Sequence, residues 1–387
     1  MRRSADRAPR PTVLFLDDEN WDCFAQLAAL ARQAGCRVVQ VVTRSSTTTR
    51  IVSPIIFDEL IRLDQPAGPA RLVELASRDD VRDVQISEHS FARVDPSSPA
   101  ARVLFSVGPL DHRARAELLD KLVVSVRLRD AGAATPETIP VAEAGPDLAV
   151  AKLGWPIVLK SRIGSGGAGV RVAEDLAGLE RALGDLGASH EPDELYYERY
   201  VVGQVFTYGA VVGIDGVEQE VTLRATPNAS APLGPSAEIL TIEDERVAAM
   251  GRLAVDALGC RGFVNIQMLR DAAGDLWIID VNTRAWGSFA AVCEAGLDFS
   301  EGYFHALGLR ADPPRARRAT PGVSMHVFPR AVLAHVQIGD ARGAARAFWR
   351  EAAPYRRRLG VRYWCSSAVL IAAGLVEARR RRRAALS

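Results

Sequence analysis

Lys160 ends the apolar run Ile157-Val158-Leu159 and stands at the base of a loop crowded with Gly164, Gly166, Gly167 and Gly169. A second β-rich run, Val170-Arg171-Val172, follows at once. A glycine-rich turn between two strands lets main-chain N–H groups face an anion with no Cβ in the way. Lys160 adds a compact point charge beside them. The pattern is not a Walker loop, since no Gly-Lys-Ser/Thr closes it and no helix opens directly after it. Nor is it a dinucleotide fingerprint, which needs strand–turn–helix. Lysine is otherwise scarce: of 48 lysine plus arginine residues, three are lysine, Lys121, Lys152 and Lys160. An ammonium does not substitute for a guanidinium fork. Lys121 and Lys160 are therefore candidates for a phosphate site, and Lys152 is read as surface charge.

A second cluster lies on two runs expected to be strands, 262–269 and 276–282, joined by a turn at Asp271 to Asp275. Alternation puts Asn265 and Gln267 on one face of the first and Asp280 and Asn282 on one face of the second. If the faces coincide, they form a set of oxygen ligands. Magnesium suits such a set, using one or two carboxylates together with substrate phosphates and water. Arg284 follows two residues later, with a fork that matches phosphate or carboxylate.

The elements that must position these residues read as follows. Residues 1–11 are expected to be a disordered arm, with no apolar run of the signal type behind the basic start. Strands at Thr12 to Leu16 and Arg37 to Thr43 flank a helix at Phe24 to Ala34, a βαβ unit opening an α/β domain over 12–110. A helix near 68–77 and strands at 81–86 and 101–107 continue it. The acidic tip Asp17-Asp18-Glu19 lies at the carboxyl end of the first strand, where open α/β sheets bind ligands; a solvated loop is the other reading. Gly108-Pro109 marks a boundary, followed by one long helix from Asp111 to Ala131. A helix over Asp175 to Leu186 follows the glycine loop. Leu195 to Gly203 is a β segment, and Val205 to Ile214 and Glu218 to Thr226 form a hairpin at Asp215-Gly216. Pro227 to Ser236 reads as a mobile loop and Ile242 to Leu258 as a helix.

Composition excludes several classes. The chain has 387 residues, 48% hydrophobic and 25% charged, with formal net charge +1. That is ordinary for a globular protein of two or three domains and supplies no field for nucleic acid. Five scattered cysteines without a C-x-x-C pair argue against a disulfide framework or zinc site and for a reducing cytoplasm. No apolar run is long enough to span a bilayer.

Taken together, these motifs resemble the ATP-grasp superfamily. The matches are Lys121, Pro156-Ile-Val-Leu-Lys160 with Gly164-Ser-Gly-Gly-Ala-Gly169, Tyr197-Glu-Arg-Tyr-Val-Val-Gly203, Gly262-Phe-Val-Asn-Ile-Gln267 and Ile279-Asp-Val-Asn-Thr-Arg284. They cover roughly residues 110–310. Arg284-Ala-Trp-Gly-Ser288 and Ala295-Gly-Leu-Asp298 look most like the carbamoyl-phosphate-synthase-like branch of predicted carboxylate–amine ligases. The resemblance implies a Rossmann-like first domain, an ATP-grasp domain over 111–310 with subdomains 111–195 and 196–310, and a C-terminal extension over 311–387. It implies that Lys121 and Lys160 touch the ATP phosphates and that Ser165, Gly166, Gly167 and Gly169 close over them. Glu198 and Val201 would meet adenine through main-chain groups. Gln267, Asp280 and Asn282 would hold magnesium, or manganese in its place. Arg284 would stabilise the transferring phosphoryl group, and Arg224 would approach the γ-phosphate.

The implied reaction joins a small-molecule carboxylate to an amine through an acyl phosphate, releasing ADP and phosphate. The alternatives are an ATP-grasp phosphotransferase and an ATP-binding regulatory protein without turnover. This chain departs from the pattern at the metal positions, where many members have two glutamates. Val205 also replaces a glutamate common two residues beyond the hinge glycine, and a biotin-carboxylase-type bicarbonate and biotin site has no counterpart. Beyond 310, a strand at Gly322 to Pro329 and a helix at Ala341 to Ala353 are expected. The apolar stretch Tyr363 to Val376 and basic Arg379 to Arg383 are read as a docked helix. Peripheral attachment to an anionic membrane is the alternative.

Overall fold

The computed structural model of the chain describes residues 10–95, 98–105, 115–226 and 236–384. The first layer alternates β1 (Thr12–Leu16), α1 (Asp22–Gln33), β2 (Arg37–Val42), α2 (Thr47–Ile56), β3 (Glu59–Arg62), α3 (Gly68–Ala76) and β4 (Val81–Ile86). The strands are parallel in the order β3-β2-β1-β4. The order reverses direction at β1, which sets a crevice at the carboxyl ends of β1 and β4. α2 and β3 escape the periodicity reading. α2 is a run of β-branched residues, and Ser46, which accepts from the Thr49 N–H, starts it.

α4 (Glu88–Phe91) and α5 (Pro99–Phe105) follow. The strand expected at 101–107 is thus helix through Phe105, opened by Pro99 at its first position. The single helix expected from Asp111 to Ala131 is two pieces in its described part, α6 (Arg115–Leu118) and α7 (Lys121–Asp130). Asp120 breaks it, because its carboxylate accepts from the N–H groups of Leu122 and Val123 and caps α7.

The second layer contains β5 (Thr138–Pro140), α8 (Pro146–Leu153), β6 (Ile157–Ser161), β7 (Val170–Ala173), α9 (Leu176–Gly187) and β8 (Leu195–Arg199). Its antiparallel order is β5-β8-β6-β7. Ile157, Leu159, Leu195 and Tyr197 turn one face onto α8 and α9, which leaves Lys160 and Glu198 on the other. β8 belongs wholly to this sheet, so the change of sheet falls at 200–203 rather than at 195/196.

The third layer is larger: β9 (Gln204–Gly213), β10 (Gly216–Thr226), β11 (Glu238–Ile242), α10 (Glu245–Leu258), β12 (Gly262–Arg270), β13 (Leu276–Asn282), α11 (Phe299–Ala306) and β14 (Ser324–His326). Strand order is β13-β12-β9-β10-β11-β14. Ile242 ends β11 rather than opening a helix, and Asp244 caps α10 through the Val247 N–H. One face of the sheet packs Tyr208, Val264, Ile266 and Met268 against α10. The other packs Val211, Val221, Leu223 and Phe263 against Trp286, Phe299 and Tyr303. Residues 227–235 of the expected mobile loop lie outside the described residues.

α12 (Arg330–Ile338) and α13 (Ala341–Ala384) complete the chain, with α13 interrupted at Gly360 (φ 77°, ψ 175°). This region is no appendage. Phe328, Tyr355, Leu359 and Tyr363 share a core with Cys23, Phe24 and Leu27 of α1. Gln26 Nε2 donates to Tyr363 Oη at 3.1 Å and to the Phe328 carbonyl at 3.3 Å. Among the described residues no helix is long and apolar enough to cross a membrane. The side chains of Arg379 to Arg383 lie outside the described set.

Candidate functional site

The register of β12 and β13 pairs Asn265 with Asn282 and Gln267 with Asp280. Directly opposed residues share a face, so these four polar side chains form one patch beside the second layer. Two lysines reach it from separate elements. Lys121, first residue of α7, pairs its ammonium with Asp280 Oδ1. Lys160 Nζ lies 2.6 Å from Glu198 Oε1 and donates to the Ile279 carbonyl at 3.4 Å. Both lysine heads thus converge on adjacent residues of β13.

The contacts continue along the strand. Asn282 Nδ2 donates to Asp280 Oδ2 at 2.7 Å, and Arg284 Nη2 donates to Asn282 Oδ1 at 2.9 Å. Arg284 Nε donates to both Glu88 oxygens, at 2.8 and 2.9 Å, and its guanidinium lies 4.2 Å from the Trp21 ring centroid. A line of charge-assisted bonds therefore runs from α7 through β13 into the first layer. Burial alone would push the Asp280 carboxyl up, but Lys121, Asn282 and Lys160 hold it below the usual carboxylate range. At Glu198 burial wins over Lys160 and pushes the carboxyl up.

The glycine loop joins β6 to β7 in an antiparallel hairpin. Gly166 and Gly167 have φ of 65° and 78°, conformations that L side chains adopt at a cost. A Cβ on Gly169 would lie 2.0 Å from Ser161 Oγ. Ser165 is buried and its Oγ has no partner, while its carbonyl faces His89 Nε2 at 3.2 Å.

The other expected site residues fall as follows. Glu198 is opposed by Thr138 and Val158 within the sheet, so its carboxylate, not its main chain, is what it offers the cleft. Val201 lies in the link between β8 and β9, outside both ladders. Arg224 is opposed to Phe206, and Phe206 to Met268, on the α10 face. Strand alternation turns it away from the face of Gln267 and Asp280, which speaks against the expected approach of Arg224 to the γ-phosphate. The acidic tip is not a solvated loop. Asp17 is buried and accepts from the N–H groups of Glu19 and Trp21. Asp18 accepts from the Thr43 N–H at 2.7 Å and Arg93 Nη1 at 2.9 Å.

Sequence reading missed Trp21, Gln85, Glu88 and His89. They hold the Arg284 segment and the glycine loop from the carboxyl ends of β1 and β4, and Gln85 Oε1 accepts from the Ala285 N–H at 2.9 Å. The available signal was Ser87-Glu88-His89 directly after an expected strand, at the end of the sheet where ligands bind. Nothing local ties it to Arg284, 196 residues away.

The residues present suit a polyphosphate with a hard cation: two ammoniums, a buried hydroxyl without a partner, and a carboxylate flanked by amides. Among the described residues no three His, Cys, Asp or Glu side chains form a self-sufficient metal cage. A cation here would draw further ligands from phosphate oxygens and water.

Comparison with known proteins agrees with this geometry. The family "Carbamoyl-phosphate synthase L chain, ATP binding domain" matches residues 120–300. A D-alanine–D-alanine ligase of Synechococcus sp. (strain JA-3-3Ab) is 30% identical over 199 residues, 48% of this chain and 60% of that protein. The chain thus spans about three fifths of the length of the curated relatives it matches. The ADP complex of N5-carboxyaminoimidazole synthetase from Staphylococcus aureus superposes with TM-score 0.62 at 16% identity, covering 82% of each chain. The ATP complex of carboxyaminoimidazole ribonucleotide synthase from Aspergillus clavatus gives 0.63 at 16% identity, covering 80% of each.

Proposed function

We propose that this chain, which belongs to the ATP-grasp superfamily, is an ATP-dependent ligase that joins a small carboxylic acid to an amine through an acyl phosphate. The observation that carries the reading is the convergence of Lys121 and Lys160 on Asp280 and Ile279 of one strand. Two of the three lysines in the chain meet there, from elements 39 positions apart.

In this reading the nucleotide lies between the two antiparallel sheets. Lys121 and Lys160 exchange their carboxylate partners for phosphate oxygens, and the Ser165 hydroxyl and the loop N–H groups cover the phosphates. Main-chain groups of the link at 200–203, including Val201, meet the base. Asp280, Gln267 and Asn282 hold magnesium, which neutralises charge on the phosphates when bound. Arg284 is held in one orientation by Glu88 and Trp21. It presents its remaining donors to the oxygens that gain charge as the γ-phosphoryl group moves to the carboxylate. The amine then attacks the acyl carbon, phosphate leaves, and no protein nucleophile is consumed. The crevice between the first layer and Arg284 is the place for the acid and amine.

The test is a screen of carboxylic acids for acid-dependent ADP release, with hydroxylamine replacing the amine. A hydroxamate formed alongside ADP supports the ligase. ADP with a stable phosphate ester instead moves the assignment to a phosphotransferase. Nucleotide binding with no turnover for any acid supports a regulatory ATP-binding protein, the reading that the uncharged Gln267 favours.

A further inference from the structure

We propose that the C-terminal helical hairpin carries a second anion site, for a small phosphate-bearing ligand, built on Arg342, Arg346 and Arg350. α12 and α13 fold back on each other at Gly339 and, with His326 of β14, line a half-open cavity of about 410 Å³. That lies within the range of small-molecule sites, roughly 300–1,000 Å³. None of the cleft residues described above lines it.

The three arginines recur every fourth residue, so they stand on one face of α13, and all three line the cavity. Like charges four residues apart on a helix repel. Solvent screens part of this repulsion at the three exposed side chains, and an anion lying among them would relieve the rest. Among the described residues, none of the three makes a hydrogen bond or ion pair. Their forks match phosphate oxygens.

The two carboxylates of the cavity offset part of this charge, Asp340 towards Arg346 and Glu351 towards Arg350, while their own hydrogen bonds lie elsewhere. Asp340 Oδ1 accepts from the Gly343 N–H at 2.8 Å, and Oδ2 faces His335 Nδ1 at 3.1 Å. The Glu351 side chain is only 9% exposed, lies 3.6 Å from His326 Nδ1, and leaves Oε2 buried without a partner. Burial pushes its carboxyl up to about 7. Near and below that pH its O–H is a donor that a phosphate oxygen would satisfy. The groups facing Glu351 are His326 on β14, Arg350 on its own helix, and Glu238 and Glu294 from neighbouring segments. Ionisation of Glu351 adds negative charge beside the arginines and removes that donor, so it opposes anion binding for a ligand of fixed charge.

The full chain is titrated calorimetrically with inorganic phosphate and with glycerol 3-phosphate, at constant ionic strength set by sodium chloride. Saturable binding is expected, weakened tenfold or more in Arg346→Gln and in Arg350→Gln and kept in Lys160→Ala. The arginines are exposed, so the variants should melt with the parent, and Arg346→Lys should keep part of the affinity. Flotation with phosphatidic acid vesicles separates the sources of phosphate. Vesicle binding that is lost in Arg346→Gln, without response to the soluble phosphates, assigns a lipid headgroup. Competition by glycerol 3-phosphate assigns a soluble ligand. Binding to neither probe, binding that survives both glutamine variants, or binding lost in Lys160→Ala instead would overturn the site.

Discussion

Lys160 is held by Glu198 on one side and by the Ile279 carbonyl on the other. Its ammonium therefore has a defined place before any phosphate competes for it. Removing it in Lys160→Ala takes away a charge-stabilising donor and leaves Glu198 buried without its partner. Turnover, or nucleotide affinity measured by calorimetry, should fall roughly a hundredfold or more. Unchanged values for both would remove Lys160 from the site. Asp280 is the one carboxylate among Gln267, Asp280 and Asn282, and its neighbours keep it ionised. Asp280→Asn should shift the magnesium midpoint for activity to higher concentration, with Asp280→Glu milder. Coincident midpoints for wild type and Asp280→Asn would make Asp280 a structural member of the sheet, paired with Lys121 and nothing more.

At the scale of elements, α10 sits close against the large sheet because of one residue. A Cβ on Gly251 would lie 2.2 to 2.6 Å from ring carbons of Tyr208, which is fully buried and donates its hydroxyl to Glu220 at 2.9 Å. Alanine in a helix interior gains about 1 kcal/mol over glycine. Overpacking a core typically costs roughly 1–3 kcal/mol, and more where a ring cannot move. The second effect should win, so Gly251→Ala should lower the urea midpoint. A raised midpoint would mean that α10 can slide along the sheet. The same layer positions β9, β12 and β13, so a shifted α10 should also loosen the polar patch on the far face.

For the whole molecule, pH acts through carboxyls buried at the junctions of its layers. Burial pushes Asp17, at the carboxyl end of β1, from 3.8 to about 7. The folded chain thus holds a proton there that the unfolded chain releases above 3.8. The stability this group supplies is fully present below 3.8 and is lost as pH rises through about 7. The slope for one such proton is roughly 1.4 kcal/mol per pH unit across that window. Glu351 has the same sign and a similar window. Asp280 and Asp244, both held low, act only at more acidic pH. Asp17→Asn should therefore flatten, without abolishing, the fall in urea stability between pH 5 and 7. Parallel pH profiles for wild type and variant would place the proton elsewhere.

Sequence by itself determined the parts whose cause is local. Alternation within 262–269 and within 276–282 placed Asn265 with Gln267 and Asp280 with Asn282, because side-chain direction in a strand follows from a period of two. The glycines after Lys160 marked a strand–loop–strand turn, because only glycine takes those conformations freely. The scarcity of lysine singled out Lys121 and Lys160. Tertiary structure alone decided what depends on partners far away in the chain. The Gln267–Asp280 register rests on pairing across a turn, while Arg224 faces α10 because of a register passed through β9. Arg284 meets Glu88 and Trp21 because the first layer packs on the end of β13, a contact between segments with no shared local pattern. The C-terminal apolar stretch was expected to dock, but on what was not legible, because its aromatic residues show no partner in sequence. Phe328, Tyr355 and Tyr363 find that partner in α1, where burying their area outweighs the entropy of closing the chain across more than 300 positions.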